Sequence, residues 1–114
     1  DDVIFNAGTT YSELANISAC AMTVKATAQV TIRSIHKVTL SGALTVETGG
    51  SFILQNDSNL IQTTGTTNPN SGSIQVKRNS SSLYLLDYTL WSSPVENQNL
   101  YAFSPNTSSV QAAF

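Results

Sequence analysis

The sequence predicts an all-β protein: a parallel β-helix (β-solenoid) of about four short coils, with an aromatic-rich C-terminal cap or the start of a following domain. Three observations predict it. The 114 residues contain 16 Ser, 14 Thr and 10 Asn but only 11% charged residues, too few Glu and Lys for a helix bundle. The apolar share is 40% and the net charge is -2, so the chain has the means to build a core. Most telling is a series of short runs in which apolar residues alternate with β-branched polar ones.

These runs are Met22-Thr-Val24, Val30-Thr-Ile32, Val38-Thr-Leu40, Leu44-Thr-Val46, Phe52-Ile-Leu54, Asn59-Leu-Ile61 and Ser73-Ile-Gln-Val76. The first six end at spacings of 8, 8, 6, 8 and 7 residues. Hairpins prefer longer strands and clear turn dipeptides. Strands this short fit coils, each stacked on its equivalent about 4.8 Å away, with two or three runs and roughly 15–24 residues per coil.

The connections read as tight corners: Lys25-Ala-Thr-Ala28, Arg33-Ser-Ile-His36, Ser41-Gly42, Glu47-Thr-Gly-Gly50 and Gln55-Asn-Asp-Ser-Asn59. Gly, Asn, Asp and Ser accept the conformations that corners need. Low charge follows from stacking, because a ladder of one charge repels itself whereas Thr, Ser and Asn ladders do not.

The stretch Val3-Ile-Phe5 through Ile17 holds one apolar run and reads as the preceding coil. Residues 63–73 are polar and contain Gly65 and Gly72, so they read as an excursion from one coil. Residues 1–82 are therefore assigned to the coils and 83–114 to a capping segment or next domain. That last segment holds three of the four Tyr and the only Trp, concentrated in Leu83-Tyr-Leu-Leu-Asp-Tyr-Thr-Leu-Trp91 and Leu100-Tyr-Ala-Phe103. An open solenoid end exposes backbone and core, and an aromatic cover would close it. Stacked open ends would also permit end-to-end self-association. The start at Asp1-Asp2 and the end at Gln111-Ala-Ala-Phe114 read as cuts through a longer protein.

Several function classes are disfavoured. Five basic residues, with Lys77-Arg78 the closest pair, make no phosphate-binding face, so no nucleic-acid partner is expected. No apolar run approaches the ~20 residues of a membrane-spanning helix. Cys20 is the only cysteine, which excludes an intrachain disulfide; it lies among Ala19, Ala21 and Met22 and is expected in the core. His36, the one histidine, reads as a solvent-facing corner residue and has no Gly-x-Ser-x-Gly to serve. Neither His nor Cys occurs as a pair at metal-ligand spacing. Asn56-Asp57-Ser58-Asn59 offers a cation one carboxylate and reads as a turn. Glu13, Glu47, Asp57, Asp87 and Glu96 are scattered, and β-helix enzymes acting on polysaccharides need more coils than this chain forms. No catalysis and no cofactor are expected.

Two binding surfaces remain. Thr23, Thr31, Thr39 and Thr45 each lie between apolar residues, as in water-ordering faces, but their spacings of 8, 8 and 6 make no regular array. Tyr84, Tyr88, Trp91 and Tyr101 could stack on sugar rings, with Asp87 and Asn97 as polar partners, and form the candidate glycan contact. The alternative for Asp87 is a structural carboxylate that caps backbone amides or pairs with Lys77 or Arg78.

The run Gly72-Ser-Ile-Gln-Val-Lys-Arg-Asn-Ser-Ser-Ser-Leu-Tyr-Leu-Leu-Asp-Tyr-Thr-Leu-Trp-Ser-Ser-Pro-Val95, followed by Gln98-Asn-Leu-Tyr-Ala-Phe-Ser-Pro105, resembles a segment of large secreted proteins of Bacteroidetes, notably flavobacteria. Asp87-Tyr88, Trp91-Ser-Ser-Pro94 and Phe103-Ser-Pro105 carry the resemblance, which spans roughly residues 17–107. It implies an internal piece of a multi-domain, adhesin-like protein at the cell surface or outside the cell, exported by the type IX secretion system. Its partners would be other domains of the same protein, secretion-system components or surface glycans. The resemblance supplies no catalytic residues. The resulting expectation is a structural or adhesive repeat module; the alternative is a carbohydrate-binding module using the aromatic cluster.

Overall fold

Short alternating strands leave each coil unable to bury its apolar face alone, so the coils stack. The computed structural model describes residues 1–63, 69–80, 82 and 84. It is a parallel β-solenoid. The first coil comprises β1 (Val3–Phe5), β2 (Thr10–Tyr11) and β3 (Ile17–Ala19). The second comprises β4 (Met22–Val24), β5 (Gln29–Ile32) and β6 (Lys37–Leu40), and the third β7 (Leu44–Val46), β8 (Ser51–Leu54) and β9 (Asn59–Gln62). Three turns are complete. Ser71, bridged in parallel to Thr45, and β10 (Gln75–Val76), paired with β8, begin the next.

Three parallel sheets result, ordered β1-β4-β7, β10-β8-β5-β2 and β3-β6-β9. Strand alternation sends one set of side chains inward as ladders. Val3, Met22 and Leu44 are register partners, as are Phe5, Val24 and Val46. Tyr11, Val30 and Phe52 follow on the second face, and Ile17, Val38 and Leu60 on the third. The middle of each ladder is fully covered: Val24, Val30 and Val38 have no exposed surface. Residues of the first coil, including Val3, Tyr11 and Ile17, are only partly buried against this core. Phe5 and Tyr11 meet there with ring centroids 5.1 Å apart.

The corners repeat one device. Thr9 N–H donates to the Asn6 carbonyl, Ala28 to Lys25, His36 to Arg33, Gly50 to Glu47 and Ser58 to Gln55, at 2.8–3.2 Å. The third residue of each turn has positive φ: Gly8, Thr27, Ile35, Gly49 and Asp57. This is the type II arrangement, which favours Gly. Thr27 and Ile35 are β-branched and adopt φ 66° against their steric preference. The residue closing the turn is small where it faces the core, and Ala28 and Ser58 are fully buried. Ser58 Oγ donates to the Gln55 carbonyl at 2.7 Å, so its burial leaves no orphaned hydroxyl.

The stretch from Val3 to Ala19 holds three strands, where the sequence suggests one apolar run. Thr10–Tyr11 is too short to show alternation, and Ile17-Ser-Ala19 has only one large apolar side chain. Both pair because the second coil supplies their register. Cys20 is exposed, against the expectation of a core thiol. Ile17 and Ala19 face the core, and Cys20 has left the sheet for the corner before β4. Its small neighbours mark a tight corner, not a core. His36 is half-buried at its corner; its carbonyl accepts from Asn59 N–H at 3.2 Å.

The polar excursion is tied at both ends. Asn70 Oδ1 accepts from Leu44 N–H at 2.8 Å, and the side-chain amides of Gln62 and Asn70 bond reciprocally at 2.8 and 2.9 Å. Gln62 Nε2 also donates to the Gly42 carbonyl. Gly72 follows Ser71 at φ +93°, and a Cβ there would lie 2.0 Å from the Val46 carbonyl oxygen. The chain divides into two units, Asp1–Asn79 and Ser80–Phe114. The expected aromatic cap falls outside the described residues, apart from Tyr84.

Three outcomes are expected. Phe52→Ala should lower stability by about 3–5 kcal/mol in denaturant unfolding, because Phe52 is 1% exposed between neighbouring ladders. Ile35→Gly should raise it by about 0.5–1 kcal/mol, since Ile35 is 82% exposed and holds a left-handed conformation that glycine accepts. Cys20 should react with iodoacetamide in the native protein at the rate of an exposed thiol; protection until unfolding would contradict the corner placement.

Candidate functional site

Outward side chains also form ladders, which set the chemistry of each face. Ile4, Thr23, Thr45 and Ser71 line one sheet; Thr31, Ile53 and Gln75 another; Ser18, Thr39 and Ile61 the third. Of the four threonines flagged in the sequence, Thr23 and Thr45 are therefore register partners, while Thr31 and Thr39 lie on separate faces. Ile4, Ile53 and Ile61 interrupt the ladders, so the described coils present no continuous threonine array.

Polar side chains bind neighbouring coils at the strand ends. Asp2 Oδ1 accepts from Ala21 N–H, Asn16 Oδ1 from Lys37 N–H and Asn56 Oδ1 from Asn79 N–H, at 2.9–3.1 Å. Each substitutes for a carbonyl where the ladder ends. Asp57, considered as a cation ligand, receives a 2.8 Å hydrogen bond from Asn56 Nδ2 in this turn. Arg78 donates to the carbonyls of Gln55 and Ser58 at 3.2 and 2.7 Å, fixing the chain after β10 on the preceding corner. Among the described residues no three His, Cys, Asp or Glu side chains assemble as metal ligands.

Lys25 and Glu47 occupy the same turn position on successive coils. Lys25 Nζ lies 2.7 Å from Glu47 Oε1, and Glu47 Oε2 accepts from Ala26 N–H at 3.1 Å. The Lys25 hydrogen bond, aided by the Ala26 amide, holds the Glu47 carboxyl below the usual glutamate range. Opposite charges here avoid the repulsion of a like-charge ladder.

The coils differ in length, and this shapes the surface. From the first coil to the second the register advances 19 residues on the β2–β5 face and 21 on the β3–β6 face. The connection from β2 to β3 is thus two residues shorter than its successor. It cuts the corner and leaves an open recess of about 490 Å³, lined by Ser12, Leu14, Thr31, Arg33, Ser34 and Gln55. Between the second and third coils both of these faces advance 22 residues. A second, smaller hollow of about 300 Å³ lies beside Cys20, with Ser18, Thr39, Ser41 and Thr63 in its wall.

Of the sequence-predicted glycan contacts, Tyr84 is 83% exposed. Asp87, Tyr88, Trp91, Asn97 and Tyr101 lie outside the described residues. The recess around Arg33 carries no local signature in the amino-acid sequence. Comparing the Tyr11–Ile17 and Val30–Val38 spacings would reveal it, but the first coil is too weakly patterned to be aligned without its register.

Coils built from three short parallel strands, stacked face by face around one apolar core, define a parallel β-helix. The chain belongs to a family described as a domain of unknown function (DUF8693), whose model matches residues 1–113. No curated protein and no solved structure matches the chain. Among the described residues no helix is long and apolar enough to cross a membrane.

The lowered Glu47 pKa gives a pH prediction. A depressed carboxyl stabilises the fold above its unfolded-state pKa, and this contribution is lost as pH falls through its folded-state value. The stability difference between the parent and Glu47→Gln should be largest near neutral pH. It should vanish as pH falls past the glutamate range, and shrink in high salt. Urea titrations from acid to neutral pH would measure it; a difference constant with pH would show that the carboxylate charge plays no part.

Proposed function

We propose that this chain is a structural and adhesive repeat module of a large exported bacterial cell-surface protein, without catalysis of its own. The observation that supports this most is the continuous parallel ladder. Each coil templates the next on three faces, advancing about 4.8 Å per coil around a core whose central residues have no exposed surface. Such a unit is stiff along its axis and extends by adding coils, as a spacer or stalk requires. The resemblance of residues 72–105 to secreted proteins of Bacteroidetes supports an extracellular setting and export by the type IX system. Neighbouring domains of the same protein are the partners this role requires.

A second reading, a carbohydrate-binding module, draws on the exposure of Tyr84 at 83% and on the density of aromatic residues that follow it. Electron microscopy and light scattering of the native protein carrying this chain test the first reading. A long rod or filament is expected; a compact monomer would overturn it and favour the second. Trp91→Ala then tests the second: loss of glycan retention by a protein that remains folded supports an aromatic platform, and unfolding or aggregation indicates a cap.

A further inference from the structure

The recess beside Arg33 has the makings of a ligand site on the coils themselves. Three successive coils contribute to its lining: Ser12 and Leu14 from the first, Thr31, Arg33 and Ser34 from the second, and Gln55 from the third. At the inter-coil spacing this makes a trough about 10 Å long. The donors and acceptors are of the kinds that match sugar hydroxyls: two serines, a threonine and a primary amide. Leu14, 70% exposed, offers an apolar edge. A solvent-facing leucine in a charge-poor corner contributes little to folding and suits the apolar face of a pyranose ring.

Arg33 sets the charge. Lys25 is paired with Glu47, and Arg78 is engaged with backbone carbonyls. Among the described residues Arg33 has no acidic partner. Glu13, the acid in the shortened connection, does not line the recess. A guanidinium with free donors beside hydroxyl and amide groups recognises a planar or tetrahedral anion carried on a polar ligand. The geometry points to this recess as a binding site for an acidic saccharide, one bearing a carboxylate or a sulfate, with Arg33 holding the anion and Thr31, Ser34 and Gln55 the neighbouring hydroxyls.

The inference rests on the adhesive reading for its setting, but the site is built from coil residues alone and uses none of the aromatic side chains. The test uses the whole chain at low ionic strength, with calorimetric titration of three probes: an oligogalacturonate, a heparin-derived oligosaccharide and a neutral cello-oligosaccharide. Binding of an acidic probe and not the neutral one is expected, and the preferred acid identifies carboxylate or sulfate as the recognised group. Arg33→Gln should weaken that binding at least tenfold with an unchanged melting temperature, because Arg33 is exposed at a corner. Lys77→Gln, a cation outside the recess, should leave it unchanged.

No binding of either acidic probe, equal losses in the two variants, or full competition by inorganic sulfate at matched concentration would each overturn the site. Glycan binding that is indifferent to charge and to Arg33→Gln would overturn it while leaving the aromatic reading standing. A rod-shaped native protein that binds none of the probes would overturn it while leaving the structural module intact.

Discussion

The register between coils is the constraint on which the rest of this structure depends. Each strand finds its hydrogen-bond partners in the strand one coil away, so the backbone is satisfied only if the coils stack in parallel and in phase. Strands of two to four residues have little stability alone. Held in phase, their inward side chains form ladders such as Tyr11–Val30–Phe52, and the core becomes a column rather than a layer. A slip of one residue would turn Val30 and Ile32 outward and Thr31 inward, exposing apolar surface and burying a hydroxyl together.

Corners carry the cost of this regularity. Every coil must bend the chain within a few residues, and the repeated turn demands positive φ at one position. Glycine meets that demand at Gly8 and Gly49, whereas Thr27, Ile35 and Asp57 meet it under strain. The neighbouring coil offsets the strain at Thr27, whose Oγ1 accepts from Gly8 N–H at 3.0 Å. Asp2, Asn16, Asn56 and Asn70 act similarly, each presenting a side-chain oxygen to an amide of an adjacent coil. Abundant short amides and hydroxyls, with few charges, are thus the composition that stacked corners require. Where charge does occur in register, at Lys25 and Glu47, it is of opposite sign.

Surface chemistry follows from small departures from the repeat. Coils of identical length would present uniform ladders with no recess. The shortened β2–β3 connection opens the hollow at Arg33, and the lengthened approach to Ser71 brings Asn70 and Gln62 together at the opposite end of the described stack. A solenoid of this kind separates its roles: inward ladders hold the fold, and irregular corners are free to acquire contacts. This separation makes a spacer that also adheres physically reasonable, since a corner can change without disturbing the core.

The amino-acid sequence by itself determined the architecture and most strands of the second and third coils. Apolar-Thr-apolar runs such as Val30-Thr-Ile32 and Val38-Thr-Leu40 carry their inward and outward faces in local order, and period-two alternation is a local property. Only the tertiary structure decided that Thr10–Tyr11 and Ile17–Ala19 are strands, that Cys20 faces solvent, and that Thr23 and Thr45 share a face while Thr31 and Thr39 do not. The recess at Arg33 belongs with these. Each depends on which residue lies one coil away, a separation of 19 to 26 residues that varies from corner to corner. Local pattern fixes which way a side chain points along its own strand, but only the closed turn of the solenoid sets its neighbour.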